Sequence, residues 1–311
     1  MRIVLFGCGA KATAVLQKLI DLNQEVVAVI YAETDSHENL WYECVQDITP
    51  DYLIPTFDNT CDVTDALQRL KPDVIFVVGW RYKIPKGQYS IPTKGTIVFH
   101  DSLLPRYRGF APMNWAIING ETKTGATMFY IDEGIDSGDI IGQAEIPITE
   151  YDDAKDVETK VTKAYIGLLE TYLPLIKADR VNRKPQDQRQ ATYCCKRIPD
   201  DGLVDWSKTT RQILNLIRGL AEPYPCAFTY MEPAKLYENK LFVLKASLDT
   251  EWNNYVGRIP GRVVGIVKGT GVCVLTGDGT LIIKEVGING KHMRADDVIK
   301  SVKTTLKSID K

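Results

Sequence analysis

Short apolar runs alternate with helical patterns through the first half of the chain. The runs lie at residues 2–6, 26–32, 74–78, 95–100 and 127–131. Helical spacing of apolar residues follows the first run at 12–22 and the fourth at 111–118. Strands that alternate with helices in this way predict a mainly parallel, doubly wound sheet. The runs are apolar along their whole length, which is typical of strands covered on both faces. We therefore predict an α/β fold for this half.

A long apolar stripe closes this half and predicts a helix. Its members recur at the spacings of three and four residues that one buried helix face requires: Val157, Val161, Tyr165, Leu168, Leu169, Tyr172 and Ile176. Asp152 and Asp153 precede the stripe, where an N-cap and a first-turn acid belong. The charged and polar residues 177–190 that follow predict a linker.

The rest of the chain has a different pattern. A helical pattern at residues 209–220 precedes short strand-like runs at 227–230, 241–245, 261–267, 272–276 and 281–286. Short strands with frequent Gly and Asp turns predict a small β-barrel or sandwich. We therefore divide the chain into a Rossmann-like domain at residues 1–190 and a smaller, β-rich, barrel-like domain at residues 191–311.

Composition argues against several classes of protein. The chain has 311 residues, a formal net charge of −2 and 44% hydrophobic residues, enough for one large domain or two of ordinary size. The near-neutral charge gives no general attraction to nucleic acid or to a membrane surface. A transmembrane helix needs about 18 or more apolar residues in a row, and a signal peptide needs a longer apolar start than this one. We expect a cytosolic protein.

Cysteine and histidine spacing provides no metal motif. The seven cysteines include no Cys-x-x-Cys, and Cys194 and Cys195 are adjacent, so we expect free thiols in a reducing compartment. His37, His100 and His292 form no pair with metal-ligand spacing, so we expect no metal site.

A glycine turn after the first strand is the first candidate site. Gly7-Cys8-Gly9-Ala10-Lys11 would present backbone N–H groups at a helix N-terminus, which suits a phosphate, and Lys11 adds a cation. The dinucleotide fingerprint is incomplete, since Ala12 stands where its third glycine belongs and no clear acid ends the second strand. The turn is interpreted either as a phosphate contact or as a tight strand–helix connection.

A histidine and the loop after it are the second candidate. His100 ends an apolar strand, and ligands bind at the carboxyl ends of strands in open α/β sheets. A histidine exchanges protons near neutral pH. The following loop is stiff and basic, with Arg106 and Arg108 among prolines and a glycine, and it either holds an anionic substrate or is a solvated loop.

An acidic turn is the third candidate. Residues 131–139 carry four acids, Asp132, Glu133, Asp136 and Asp139, between two strand-like runs. A carboxylate here could orient the histidine ring and raise its basicity. Spacing alone does not select which acid does so, and an ordinary acidic turn is the alternative.

Together these segments resemble the folate-dependent formyltransferases. Members of that family share a strand ending in Asn-x-His, then Ser-Leu-Leu-Pro, Arg-Gly and a downstream Asp-x-Gly. This chain has His100, Ser102-Leu103-Leu104-Pro105, Arg108-Gly109 and Asp136-Ser137-Gly138. The resemblance continues through residues 201–206, 217–218 and 223–225 and so covers essentially the whole chain. It implies a Rossmann-like catalytic domain with an OB-like C-terminal domain, and a catalytic pair of His100 and Asp136.

Two subgroups of the family compete. Methionyl-tRNA formyltransferases carry a basic insertion after the second strand, whereas residues 31–52 hold six acids and no Lys or Arg: Glu33, Asp35, Glu38, Glu43, Asp47 and Asp51. Such a segment repels a phosphate backbone. Residues 78–82 and 113–115 are more similar to sugar nucleotide N-formyltransferases, including the domain that acts on UDP-aminoarabinose. The resemblance then implies a nucleotide-linked amino sugar as substrate, with no nucleic acid or membrane partner, and it leaves a homodimer open.

The same resemblance assigns binding residues. Substrate contacts are expected at Gly9, Lys11, Trp80, Arg81, Ser102 and Arg108. The implied formyl donor is N10-formyltetrahydrofolate, with no metal, and its contacts are expected at Tyr82, Ile84, Leu104, Asp132 and Ile135.

Two positions depart from the family pattern. Val98 replaces the usual Asn and cannot donate a hydrogen bond to the developing oxyanion, and Asp101 stands where small residues or proline are common. Protonated His100 could stabilise the oxyanion alone, or Ser102, Asn114 or a backbone N–H could replace the missing donor. The chain could also be slow, altered in acyl chemistry, or a nucleotide-sugar binding protein without catalysis.

Further alternatives remain open from the sequence. Methionyl-tRNA formylation is the alternative within the family, and a formyl-folate hydrolase uses similar residues. In the C-terminal region Tyr224, Trp252 and Tyr255 either stack on a base or pack in the core. The nucleotide, the sugar and the position of its amine cannot be inferred from the sequence.

Overall fold

A computed structural model describes residues 1–33, 43–232, 240–249 and 255–307. The chain forms two compact units. The first comprises Met1–Met113, Lys123–Thr149 and Asp156–Lys196, and the second Asn114–Thr122, Glu150–Lys155 and Arg197–Lys311. The domain boundary that the sequence predicts, between residues 190 and 191, stays a prediction.

The strands and helices up to residue 194 include all of the predicted ones. The strands are β1 (Arg2–Gly7), β2 (Glu25–Tyr31), β3 (Thr56–Asp58), β4 (Val74–Val78), β5 (Thr96–His100), β6 (Arg108–Gly109), β7 (Lys123–Tyr130), β8 (Ile140–Pro147) and β9 (Tyr193–Cys194). The helices are α1 (Gly9–Asp21), α2 (Val45–Ile48), α3 (Thr64–Leu70), α4 (Lys86–Tyr89), α5 (Pro112–Ile118) and α6 (Ala154–Lys177). Short 3-10 turns lie at Thr49–Tyr52 and Gln188–Gln190.

The first unit is built on one sheet with the order β3-β2-β1-β4-β5-β7-β8. Pairing is parallel from β3 to β5, and β7 and β8 add two antiparallel strands at one edge. Strand β4 is wholly apolar and β1 is apolar after Arg2, and both are buried almost throughout, as a sheet covered on both faces requires. The predicted α/β fold with a doubly wound, mainly parallel sheet is confirmed.

Helix α6 has the predicted apolar stripe and the predicted cap. Val157, Val161 and Leu169 are fully buried. Asp153 precedes the helix, and its Oδ1 accepts a hydrogen bond from the backbone N–H of Lys155 at 2.9 Å. This contact satisfies one of the N–H groups that a helix start leaves without a partner in the helix.

The second unit is mainly antiparallel. After a 3-10 turn at Pro199–Gly202 come α7 (Thr210–Gly219), β10 (Phe228–Glu232), β11 (Leu241–Leu248), β12 (Val263–Val267), β13 (Gly271–Leu275), β14 (Thr280–Ile288), β15 (Lys291–Arg294), α8 (Ala295–Val298) and β16 (Thr305–Lys307). The strand order is β12-β13-β14-β11-β10-β16, with β15 paired to β14. This half-barrel confirms the predicted barrel-like C-terminal fold. The short strands β15 and β16 were not predicted.

Other features of the described residues bear on the remaining expectations. All seven cysteines lie within the described ranges, and none of them forms a disulfide there. No helix in these ranges is long and apolar enough to cross a membrane. Tyr224 and Tyr255 are half-buried, and their stacking role stays a prediction. Trp252 and His37 lie outside the described residues.

Candidate functional site

His100 is the last residue of β5, in the interior of the sheet between β4 and β7. Side chains alternate along a strand, so His100 and Val98 share one face while Phe99 points to the other. The His100 side chain is only 9% exposed. The sheet therefore places a nearly buried imidazole at the carboxyl end of a central strand, where open α/β sheets bind ligands.

Both ring nitrogens of His100 face hydrogen-bond acceptors. Nε2 lies 2.8 Å from the backbone oxygen of Tyr107, and Nδ1 lies 3.6 Å from Oδ2 of Asp136. A neutral imidazole donates from one nitrogen only, whereas the protonated ring donates from both. Both faces of the ring are therefore placed to guide a proton, one at the Tyr107 carbonyl oxygen and one at the Asp136 carboxylate.

Asp136 lies in a strained loop that faces His100. Its backbone φ of 48° is in the left-handed region, which Asp tolerates better than most residues. Its Oδ2 accepts a hydrogen bond from the backbone N–H of Gly109 at 2.7 Å. Tyr107 and Ala111 on the facing loop also have left-handed φ values, 61° and 48°. Such clustered strain is typical of functional sites.

Arg108 lies inside the first unit. Its side chain is 0% exposed, and its guanidinium donates to Gln186 Oε1 at 2.6 and 3.2 Å, to Gln188 Oε1 at 2.8 Å and to the Tyr193 hydroxyl at 3.1 Å. The substrate contact expected of Arg108 stays a prediction. Gln186 was missed because residues 177–190 were predicted to be a linker, and a single Gln in a polar stretch gives no signal of its own.

Lys11 and Asp101 form an ion pair on the opposite face of the sheet from His100. Lys11 Nζ lies 2.6 Å from Asp101 Oδ2 and 3.9 Å from Glu158 Oε1, and the Tyr165 hydroxyl donates to Asp101 Oδ1. Burial acts to raise the pKa of Asp101, but the Lys11 charge and the hydrogen bonds from Lys11 and Tyr165 outweigh it, so the pKa is lowered. The pair accounts for the acid at position 101, and the phosphate contact expected of Lys11 stays a prediction.

The ends of β1 and β4 pack closely together at the glycine turn. Helix α1 begins at Gly9, and the backbone N–H of Cys8 donates to Val78 O at 3.1 Å. Gly79 has a φ of 63°, and a Cβ there would collide with the carbonyl oxygen of Cys8. The geometry fits a tight strand–helix connection at the point where strand order reverses, and a phosphate contact at Gly9 stays a prediction.

Aromatic side chains follow β4. The Trp80 ring packs edge-on against Phe6 and Tyr82, with centroids 5.1 and 5.8 Å apart. The indole N–H of Trp80 is buried and has no hydrogen-bond partner within the described residues. Tyr82 is half-exposed and Ile84 is buried, while Arg81 is partly exposed.

An apolar wall lies beside His100. Leu104, Phe129 and Ile140 form a buried cluster with Val98 packed against it. The wall explains the apolar residue at position 98, because an amide there would lie among hydrocarbon side chains.

In the acidic turn, Asp132 Oδ1 accepts hydrogen bonds from the Gly134 N–H at 3.0 Å and from the Ser137 hydroxyl at 2.6 Å. Ile135 in the same turn is 64% exposed.

Two substitute oxyanion donors considered from the sequence are engaged elsewhere. The Ser102 hydroxyl donates its one hydrogen to Arg106 O at 2.7 Å. Asn114 Nδ2 donates to Gly219 O at 2.8 Å within the second unit. These bonds favour His100 itself, or a backbone N–H, as the donor.

Matches to known proteins cover both halves of the chain. Residues 1–171 match the formyl transferase family, and residues 197–303 match the formyl transferase C-terminal domain. Both segments therefore correspond to the two domains of one class of enzyme, the formyltransferases. The chain belongs to the formyl transferase family.

Individual relatives differ in their named acceptors. A methionyl-tRNA formyltransferase of Geobacter sulfurreducens is 32% identical over 299 residues, covering 94% of this chain and 90% of the relative. The structure of WlaRD, a sugar 3N-formyl transferase with dTDP and 5-N-formyl-THF, has a TM-score of 0.67 at 20% identity over 94% of this chain and 98% of that one. HypX from Aquifex aeolicus in complex with tetrahydrofolic acid has a TM-score of 0.66 at 20% identity. The match to HypX covers 97% of this chain but only 47% of HypX, so this chain spans about half of that protein's length.

Proposed function

We propose that this chain transfers the formyl group of N10-formyltetrahydrofolate to the amine of a nucleotide-linked amino-deoxysugar. Formyl-tetrahydrofolate is the donor that the family uses. The observation that carries the proposal is the placement of His100 between the Tyr107 carbonyl oxygen and the Asp136 carboxylate. His100 and Asp136 are the proposed catalytic pair.

The proposed role of His100 is proton transfer at the reacting amine and stabilisation of negative charge on the formyl oxygen. An imidazolium nearly buried beside an apolar wall interacts strongly with such charge, because little water screens it. Asp136 balances the ring charge and fixes the ring orientation. General acid–base catalysis of this kind contributes about 10² to 10⁴ in rate.

The residues at the carboxyl edge of the sheet fit a folate. The donor supplies the activated formyl group, and its flat ring needs apolar walls and a few polar contacts. Ile84 and Leu104 are buried in two separate apolar clusters, and Val98 packs against both of them. Tyr82 and Ile135 are exposed. The buried Trp80 N–H lacks an acceptor within the described residues, which supports a ligand oxygen in this region.

Charge supports a sugar acceptor. Residues 31–52 carry six acids and no Lys or Arg, and the whole chain has a formal net charge of −2. Binding of tRNA depends on many Lys and Arg contacts to phosphates. A nucleotide-linked sugar, with the charge of one diphosphate, demands far fewer cations.

The proposal is tested by supplying the purified chain with N10-formyltetrahydrofolate and a panel of nucleotide-linked amino-deoxysugars. We expect mass spectrometry to detect N-formylated sugar nucleotide and His100→Ala to abolish it. His292→Ala is the matched control, because His292 is exposed and pairs with Glu222 at 3.0 Å in the second unit. Full activity of His100→Ala would overturn the role of His100.

Methionyl-tRNA is the second candidate acceptor, favoured by the relative that is 32% identical over 94% of the chain. The same assay with methionyl-charged tRNA distinguishes it. Release of formate without any amine would instead indicate a hydrolase, and tight sugar-nucleotide binding without turnover would indicate a binding protein. A cytosolic location and a homodimer stay predictions.

A further inference from the structure

Gln186 connects the buried Arg108 to the loop that carries Asp136. Gln186 is only 8% exposed. Both the oxygen and the nitrogen of its side-chain amide make hydrogen bonds. Oε1 accepts two hydrogen bonds from Arg108, at 2.6 and 3.2 Å. Nε2 donates to the backbone oxygens of Asp136 and Gly138, each at 2.8 Å. The amide therefore makes four hydrogen bonds, its full complement.

Arg108 determines which way this amide points. A guanidinium only donates, so the amide oxygen must face it, and the NH₂ group must face the two carbonyls. A flipped amide would set donors against donors and acceptor against acceptors. Arg108 has no exposed surface, so bulk water cannot replace it as the hydrogen-bond donor to the Gln186 oxygen.

The two carbonyls belong to the part of the loop that aims Asp136. Asp136 has a left-handed φ of 48°, and a Cβ at Gly138 would collide with the carbonyl oxygen of Tyr130. The Asp136 carboxylate itself accepts a hydrogen bond from the backbone N–H of Gly109 at 2.7 Å. Gly109 is the residue after Arg108. Strained conformations persist only where the surroundings hold them.

We propose that Gln186 is a positioning residue that holds Asp136 against His100, and that Arg108 orients Gln186. The inference rests on the proposed catalytic roles of His100 and Asp136 and assigns Arg108 a place inside the protein. Gln186 does not touch the reacting atoms. Its effect reaches the reaction only through the placement of Asp136.

Replacing the amide should slow turnover without weakening binding. Gln186→Met removes both N–H donors, and Gln186→Glu removes them while leaving an oxygen for Arg108. We expect each to lower kcat by about 10- to 100-fold, the effect of a misplacement of about 1 Å, with KM for donor and acceptor within about twofold of wild type.

Gln188→Met is the matched control. Gln188 is exposed and accepts from the same Arg108 at 2.8 Å, but its contacts are with Arg108 and the Gln186 backbone rather than the Asp136 loop. We expect its kcat to equal that of wild type. Thermal unfolding of all variants establishes that each is folded, and Gln186→Glu keeps the test open if Gln186→Met does not fold.

A double-mutant cycle separates positioning from a structural role. If Gln186 acts through Asp136, Gln186→Glu should cost less than about twofold in kcat once Asp136→Asn is present. Additive losses, or a folded Gln186→Glu with wild-type kcat while His100→Ala is inactive, would overturn the inference. An active His100→Ala would overturn the proposed function, and the inference with it.

Discussion

Among single residues, Val98 is one of two positions where the chain departs from the formyltransferase pattern it resembles. Val98 lies on the same face of β5 as His100 and packs against Leu104, Phe129 and Ile140. The formyltransferase pattern that the chain resembles has an amide donor here, so in the proposed mechanism His100 bears more of the oxyanion stabilisation. The hydrocarbon wall beside the ring also limits the screening of any charge that develops next to it during the reaction.

Restoring the amide should therefore increase the rate. We expect Val98→Asn to raise kcat by about tenfold or more, because one oxyanion donor is typically worth about 10² to 10³. The buried amide should lower the free energy of unfolding by about 1–3 kcal/mol. Val98→Leu, which adds no donor, is the control. An unchanged kcat in folded Val98→Asn would show that another donor, such as a backbone N–H, already acts.

Some residues of the site were predictable and others were not. His100 and Asp136 occur in motifs with recognisable spacing, and they lie together. The pair of Lys11 and Asp101, 90 residues apart, and the contact of Arg108 with Gln186, 78 apart, depend on how strands are ordered in the sheet. No local pattern carries that information.

The Lys11–Asp101 pair predicts a pH dependence of stability. The folded pKa of Asp101 lies below its unfolded value, so the pair stabilises the fold above about pH 4, and this contribution is lost as the pH falls through the folded value. We expect Asp101→Asn to lower the free energy of unfolding by about 3 kcal/mol at neutral pH.

The measurement is chemical denaturation from pH 3 to pH 7. Wild type should lose stability on acidification more steeply than Asp101→Asn, and Asp21→Asn serves as a control at a surface acid on α1. Parallel acid curves for wild type and Asp101→Asn would contradict the assigned ion pair.

At the scale of helices and strands, the apolar runs predicted β1, β2, β4, β5 and β7 within a few residues. Strand β8 was expected only as a strand-like run without bounds after the acidic turn, and it pairs antiparallel with β7 along most of its length. The second half of β8 alternates between buried and exposed residues. An apolar pattern does not reveal whether a strand runs parallel or antiparallel to its neighbour.

The left-handed backbone at Tyr107 and Ala111 has no sequence signal, because non-glycine residues rarely adopt that conformation.

The N-cap of α6 gives an element-level prediction. Asp153→Ala removes the acceptor for the Lys155 N–H and should lower the free energy of unfolding by about 1 kcal/mol. Asp153→Ser keeps an oxygen at the cap and should lose only a few tenths. Urea unfolding compares the three proteins, and equal losses in both variants would contradict a capping role.

At the scale of the whole molecule, the family and both folds followed from motifs spread along the chain, whereas the acceptor did not. The matched relatives include both tRNA and sugar enzymes, so the choice between the two acceptors depends on charge and on residues outside the shared motifs. The acidic residues 31–52 provide the main contrast, and residues 34–42 lie outside the described structure.

Charge also predicts weak tRNA binding. In filter binding with methionyl-charged tRNA, we expect no saturable complex at either about 50 mM or about 200 mM salt. A phosphate-dependent complex would lose affinity steeply between those concentrations. Tight binding at the lower salt with that steep loss would favour tRNA as the acceptor.

A competition between acceptors decides whether the chain formylates a sugar nucleotide or methionyl-tRNA. Isotope-labelled N10-formyltetrahydrofolate is incubated with the chain, an equimolar nucleotide-linked amino sugar panel and methionyl-charged tRNA, and labelled formyl is followed by mass spectrometry. We predict label on a sugar nucleotide, with loss of that signal in His100→Ala and its retention in His292→Ala. Label on methionyl-tRNA alone, or undiminished sugar formylation by His100→Ala, would contradict it.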